Sequence, residues 1–249
     1  MSAAAVTQLI GDCLDVLRTV EAGSVDMVFA DLPYGTTRNK WDSLIDLNRL
    51  WGELDRVAKP RAAFVFTAQM PFTGALMMSK PKWFRHHWIW EKTSATGHLN
   101  AKRAPMKAHE DILVFARTQP TYNPQMTHGH PRKQSLAKSQ RRDYGGNYGT
   151  YGGADYDSTS RYPRTVQTFA HDRQKLALHR TQKPQALMEY LLNTYSNPGD
   201  LILDPTSGSG TTGIAALTTG RRALLIEQDE HIAAIAQNRL DTFQMAAAA

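Results

Sequence analysis

Two short segments hold residues that can do chemistry together. The first is Asp31-Leu32-Pro33-Tyr34-Gly35, directly after the apolar run Asp26–Ala30. A carboxylate, a rigid turn and an aromatic ring suit an exocyclic amine on a nucleobase. The lone pair of such an amine is delocalised into the ring, so the nitrogen is a poor nucleophile. Accepting hydrogen bonds from both amine hydrogens pushes it towards sp³. The Asp31 side chain and a backbone carbonyl of the turn can do this together. Pro33 holds the turn by fixing φ, and Tyr34 can stack on a base swung out of its helix. The plainer reading is a strand-end turn with a buried tyrosine.

The second segment runs from Leu201 to Gly213, with the sequence LILDPTSGSGTTG. Gly208, Gly210 and Gly213 satisfy G-x-G-x-x-G, and Glu227 lies 17 residues beyond Gly210 at the end of the next apolar run. Glycines let a ligand approach the backbone, and an acid after the following strand can accept the hydrogens of two ribose hydroxyls. No Lys follows the glycines, so the loop is not of the Walker A type. An adenosine-containing ligand fits; the alternative is a tight strand–helix turn. A nicotinamide cofactor would bring a pyrophosphate to a helix N-terminus, where Asp204 would repel it. S-adenosylmethionine carries an ammonium and a sulfonium instead, which Asp204 favours.

These residues need a scaffold. Strand patterns occupy Thr7–Ile10, Asp26–Ala30, Ala62–Thr67, His86–Trp90, Asp111–Ala116, Leu201–Leu203 and Ala223–Ile226. Helical patterns occupy Leu14–Val20, Leu47–Val57, Pro71–Ser79, Pro184–Tyr195, Thr211–Leu217 and Asp229–Phe243. In the last, Ile232, Ile235, Ala236, Leu240 and Phe243 share one face. The alternation predicts an α/β fold with a doubly wound, mainly parallel, seven-stranded sheet. Such sheets bind ligands at the carboxyl ends of their strands. Asp12, Asp31, Asp204 and Glu227 all sit at such ends, although one acid there is often only a helix cap.

Between the two halves of this pattern, residues 118–175 carry nine Lys and Arg, four acids and six of the nine tyrosines, with little hydrophobic periodicity. Basic residues neutralise phosphates and tyrosines stack on bases. Arg132, Lys133, Arg141, Arg142, Arg161 and Arg164 are therefore candidate DNA contacts; the alternative is a solvated low-complexity loop. The chain as a whole, 249 residues with a formal charge of +6 and pI about 9.4, has globular composition. It shows no apolar run long enough to span a membrane and no secretory leader. Cys13 is the only cysteine, which excludes internal disulfides and fits a reducing cytoplasm. The His86-His87 and His128-x-His130 pairs predict no metal site, since neighbours on a strand face opposite ways and the second pair has no Cys partner.

The sequence resembles the amino-methyltransferases that modify adenine N6 or cytosine N4 in DNA. Their signature, Asp/Asn/Ser-Pro-Pro-Tyr, is similar to Asp31-Leu32-Pro33-Tyr34, with Leu in second place. The loop Asp204-Pro-Thr-Ser-Gly-Ser-Gly-Thr-Thr212 resembles their cofactor motif, which implies contacts from Asp204, Thr206, Ser207, Gly208, Gly210, Thr211 and Thr212. His179-Arg-Thr-Gln-Lys-Pro184 looks like the motif just before that strand, whose Lys183 and Thr181 positions meet the methionine carboxylate. Gly11-Asp12-Cys13 looks like the loop at the cofactor's adenine. Trp90-Glu-Lys92 and His109-Glu-Asp-Ile-Leu-Val-Phe115 look like later strands of the catalytic part. The order, catalytic turn before glycine loop, resembles the permuted β group, whose insert is the target-recognition region.

The resemblance covers roughly 1–117 and 176–243. It implies a catalytic part at 1–117, a target-recognition insert at 118–175 and a cofactor-binding part of the same domain at 176–249. It also implies S-adenosylmethionine as cofactor, double-stranded DNA as substrate and frequent dimers. Asp rather than Ser at position 31 favours adenine over cytosine. Cytosine C5 methylation needs a thiolate carried after a proline, and Cys13 follows Asp12. Trp41 and Asp42, just past the turn, are candidates to lie over the base. Two other classes stay open: a nicotinamide-dependent oxidoreductase, which leaves the Asp31 turn unexplained, and an inactive nucleic-acid-binding module, against which the intact Asp31 and Tyr34 argue.

Overall fold

The computed structural model describes residues 5–35, 43–136, 155–170 and 183–248. Trp41, Asp42, Arg141, Arg142 and Thr181 lie outside these. Two compact units are distinguished: Met1–Asn123 with Thr165–Ala249, and Pro124–Arg164.

The larger unit is built on one sheet. Its strands are β1 (Val6–Ile10), β2 (Val25–Ala30), β3 (Ala58–Ala68), β4 (Phe84–Thr96), β5 (Lys107–Phe115), β8 (Val166–Phe169), β9 (Leu201–Asp204) and β10 (Arg222–Glu227). Their order in the sheet is β1-β10-β9-β2-β3-β5-β4-β8. β5 runs antiparallel to both β3 and β4, and every other pairing is parallel. The sheet thus has eight strands rather than the predicted seven. The addition is β8, an edge strand whose residues alternate between exposed and half-buried. It comes from the basic segment, where weak hydrophobic patterning hid it.

Helices cover both faces. Among the described residues they are α1 (Cys13–Val16), α2 (Leu47–Val57), α3 (Phe72–Ser79), α4 (Gln185–Tyr195), α5 (Thr211–Thr218) and α6 (Glu230–Ala248). α2 starts where the Asp46 carboxylate accepts hydrogen bonds from the amides of Asn48 and Arg49, an N-cap. Its buried Leu50, Trp51, Leu54 and Val57 repeat at helical spacing. They pack with Val28, Phe64, Phe66 and Phe115 on one side of the sheet. On the other side, α4 lays Leu187, Met188, Leu191 and Leu192 over Phe29, Val65, Trp88, Trp90, Ile112 and Val114. Side chains alternate along a strand, so β2, β3, β4 and β5 each contribute to both cores.

The smaller unit contains the antiparallel pair β6 (Lys133–Ser135) and β7 (Tyr156–Ser158). Thr127 and Arg161 exchange backbone hydrogen bonds beside it.

Candidate active site

The carboxyl ends of β1, β2, β9 and β10 open into one cleft of about 830 Å³. Of the residues predicted for catalysis and cofactor binding that lie within the described chain, all line it except Gly210. Gly210 sits at the start of α5 with φ +77°, where a Cβ would come 3.1 Å from that of Ala236. Gly213 also serves packing: a Cβ there would meet Leu225 and Leu240 at 2.9 Å.

The glycine loop is held from two sides. Asp204 is buried, accepting from the Thr206 amide at 3.1 Å and from the Thr212 hydroxyl. Burial pushes its carboxyl up to about 7, opposed by the Thr212 and Thr206 hydrogen bonds, with Asp31 and Glu227 adding to the rise. Glu227 accepts from the Gly208 amide at 2.9 Å and the Asp229 amide at 3.0 Å, one on each oxygen. Each oxygen keeps a lone pair for a ligand. The Ser207 hydroxyl is buried and has no hydrogen-bond partner among the described residues. An orphaned hydroxyl on a cleft wall is a group awaiting a ligand. At the β1 end, Asp12 caps α1 by accepting from the Leu14 amide at 2.8 Å. Cys13 beside it is buried, and burial with the Asp12 charge pushes its thiol up to about 11, so it stays protonated and non-nucleophilic.

At the β2 end, one oxygen of Asp31 is crowded and the other is open. Oδ1 accepts from the Tyr34 hydroxyl at 2.8 Å and from the Thr67 hydroxyl, and faces the Lys183 ammonium at 3.0 Å. Oδ2 receives no hydrogen bond among the described residues. Thr206 ties the two halves of the cleft by donating to the Asp31 carbonyl at 3.2 Å. Burial, then the Asp31 charge, holds the Tyr34 hydroxyl well above its usual range; it is a neutral donor. Phe72 stacks on the Tyr34 ring at 5.3 Å.

Lys183 does more than the resemblance implies. Its Nζ lies 3.0 Å from Asp31 and 2.8 Å from Glu110, and Glu110 is bound in turn by Lys92 at 2.6 Å. Neither Glu110 nor Lys92 was assigned a role from sequence, and nor was Thr67. Their signal lies in strand alternation. Phe29, Val65, Ile112 and Trp90 face the α4 core, and two residues on along β2, β3 and β4 come Asp31, Thr67 and Lys92. Since β5 is reversed, its matching residue is Glu110, two before Ile112. Four polar residues thus end four apolar stripes at the same edge.

The sequence profile of the DNA methylase family matches residues 25–238. The chain belongs to the DNA methylase family. The methylase is 31% identical over 254 residues to the DNA adenine methyltransferase YhdJ of Escherichia coli K12, across 95% of this chain and 83% of that protein. It is 29% identical over 233 residues to the type II methyltransferase M1.MboII of Moraxella bovis, across 84% and 86%. Among solved structures it shares its fold with TTHA0409 of Thermus thermophilus, solved with S-adenosylmethionine, at a TM-score of 0.62, 23% identity and 96% of each chain. It shares the fold also with the cytosine-N4-specific PvuII DNA methyltransferase, at 0.67, 16% identity and 96% and 87% coverage.

The basic residues predicted to meet DNA differ in their engagement. Within the smaller unit of the methylase, Arg132 makes a two-pronged pair with Asp157, at 2.8 and 2.5 Å. Arg161 donates to the carbonyls of Pro131, Ser158 and Ser160. Lys133 and Arg164 are exposed. His86 contacts the Tyr195 hydroxyl at 2.7 Å and His128 the Ser160 hydroxyl at 2.8 Å. No helix among the described residues is long and apolar enough to cross a membrane.

Proposed function

We propose that the methylase moves a methyl group from S-adenosylmethionine to N6 of an adenine swung out of duplex DNA, working in the cytoplasm where that DNA lies. The observation that carries this reading is the asymmetry of Asp31: one oxygen saturated, the other open, in the cleft that also holds the glycine loop. The wall of that cleft fits the cofactor. Glu227 accepts the ribose hydroxyls, and Asp12 and Cys13 flank the adenine. Asp204, Thr206, Ser207, Gly208, Thr211 and Thr212 surround the methionine end, where the buried Asp204 favours a cation and the Ser207 hydroxyl gains a partner. Lys183, with Thr181, stands beside the methionine carboxylate. Bound there, the cofactor supplies an electrophilic methyl group on a sulfonium sulfur.

The chain's own residues do the rest. Asp31 Oδ2 and a carbonyl of the Leu32–Pro33 turn accept the two amine hydrogens, turning the nitrogen lone pair out of the base plane. Positive charge grows on that nitrogen as it takes the methyl group, and a fixed carboxylate beside it stabilises that charge more than the ground state. Asp31 is also the base within reach of the proton the amine then sheds. Tyr34, backed by Phe72, offers the base an aromatic ring. Arg132, Lys133, Arg141, Arg142, Arg161 and Arg164 supply positive charge for the phosphates. The 31% identical adenine methyltransferase and Asp rather than Ser at position 31 favour adenine.

The test is incubation of random-sequence duplex DNA with labelled S-adenosylmethionine, followed by nucleoside mass spectrometry. N6-methyldeoxyadenosine is expected. N4-methyldeoxycytidine would move the assignment to cytosine, and no labelled nucleoside would refute the reading.

A further inference from the structure

Burying a charged pair costs several kcal/mol per ion before attraction repays it, so a chain of four charges, three of them buried, at the end of an apolar core calls for a reason. The Lys92 side chain is 4% exposed, Glu110 7% and Lys183 11%. They run in alternating sign from Lys92 through Glu110 and Lys183 to Asp31, with contacts of 2.6, 2.8 and 3.0 Å. The four formal charges sum to zero.

We propose that Lys92, Glu110 and Lys183 are positioning residues that hold Asp31 in one rotamer and keep its neighbourhood electrically neutral, so that its open oxygen serves the target amine. This rests on the methyl-transfer reading above. Lys183 and the Tyr34 and Thr67 hydroxyls all bear on Oδ1, which turns Oδ2 towards the cleft. Lys183 by itself would draw charge from Asp31 and set a cation beside a second cation, the amine gaining its methyl group. Glu110, sharing the same ammonium, offsets that pull, and Lys92 compensates Glu110. Burial alone would lower the Lys183 ammonium, but the Asp31 and Glu110 charges outweigh it and hold it far above its ordinary range. Burial alone would raise Glu110, but Lys183 and Lys92 hold it below the usual carboxylate range. Both are ionised across the working range of pH. The reversed strand β5 makes the chain, because its amino end carries Glu110 to the edge where β2 and β3 end.

The experiment compares Glu110→Gln, Lys92→Met and the double variant with wild type. E110Q leaves two buried ammonium groups against one carboxylate. Single-turnover methyl transfer to DNA, at saturating S-adenosylmethionine, should slow by about tenfold or more. The double variant restores neutrality, and swapping a whole buried pair for uncharged groups is often close to neutral. It should transfer faster than either single variant. The second readout is the ¹³C carboxyl resonance of Asp31, assigned with Asp31→Asn. At one fixed pH that resonance should shift in opposite directions in E110Q and in K92M, and return in the double variant. A double variant slower than E110Q, with an Asp31 resonance that never moves, would overturn the proposal and leave only a scaffold role. If E110Q does not fold, K92M and the double variant decide by the same comparison. The carboxyl resonance needs no turnover, so a wild type that methylates nothing defeats the functional reading and still leaves this one to be judged.

Discussion

Asp31 and Asp204 are both acids at strand ends, yet they ask for opposite tests. Asp31→Ala removes the acceptor for the amine hydrogen and should lower DNA methylation by about 10²-fold or more, the scale of losing one preorganised partner. Near-wild-type turnover in a labelled-methyl assay would reject the assignment. For Asp204 the experiment is a pH series. Its carboxyl rises from an ordinary 3.8 to about 7, so the folded protein holds this proton more tightly than the unfolded chain does. The stability this gives is full below the unfolded value and is lost as pH climbs through about 7. A ligand with a cationic end favours the ionised form. S-adenosylmethionine affinity should therefore fall by about tenfold per pH unit below that point, and Asp204→Asn should flatten the profile. Calorimetry from pH 5.5 to 8.5, about the range in which such a group titrates, checks both.

Elements explain why some of the site was visible in sequence and some was not. Asp31, Asp204 and Glu227 each follow an apolar run, so a strand-end rule finds them. Thr67, Lys92 and Glu110 also end apolar stripes, but they matter only in combination. Sequence does not say that β5 runs backwards beside β3, and without that reversal Glu110 is an unremarked acid in a strand. β8 was hidden for another reason: an edge strand packs few side chains, so its periodicity is faint. The glycine loop divides the same way. Glu227→Ala should weaken S-adenosylmethionine binding by about 1–3 kcal/mol, a hydrogen bond to a charged group, and leave DNA binding unchanged in a titration. Gly213→Ala should instead destabilise the fold by about 1–3 kcal/mol through overpacking, against Leu225 and Leu240. Chemical denaturation reads that difference.

For the molecule as a whole, the open matter is where DNA is gripped. Arg141 and Arg142 were singled out by charge alone and lie outside the described residues, so their test is functional. Replacing both with Ala should reduce the slope of log affinity against log salt by about one for each phosphate no longer neutralised; a change in the ranking of sites instead would mean that one of them reads a base. An unchanged slope and ranking would move the recognition surface elsewhere. The strand order carries a further consequence, in the time domain. Ile10 pairs with Glu227 and Val28 with Leu203, so the two halves of the cleft are made at opposite ends of translation. Until the ribosome has delivered β9 and β10, the catalytic half stands with an open parallel edge. Contacts so distant in sequence form slowly, and an uncovered edge invites association with other chains. A nascent chain stalled before residue 200 should therefore bind chaperones and no cofactor, and activity should emerge only with the last two strands.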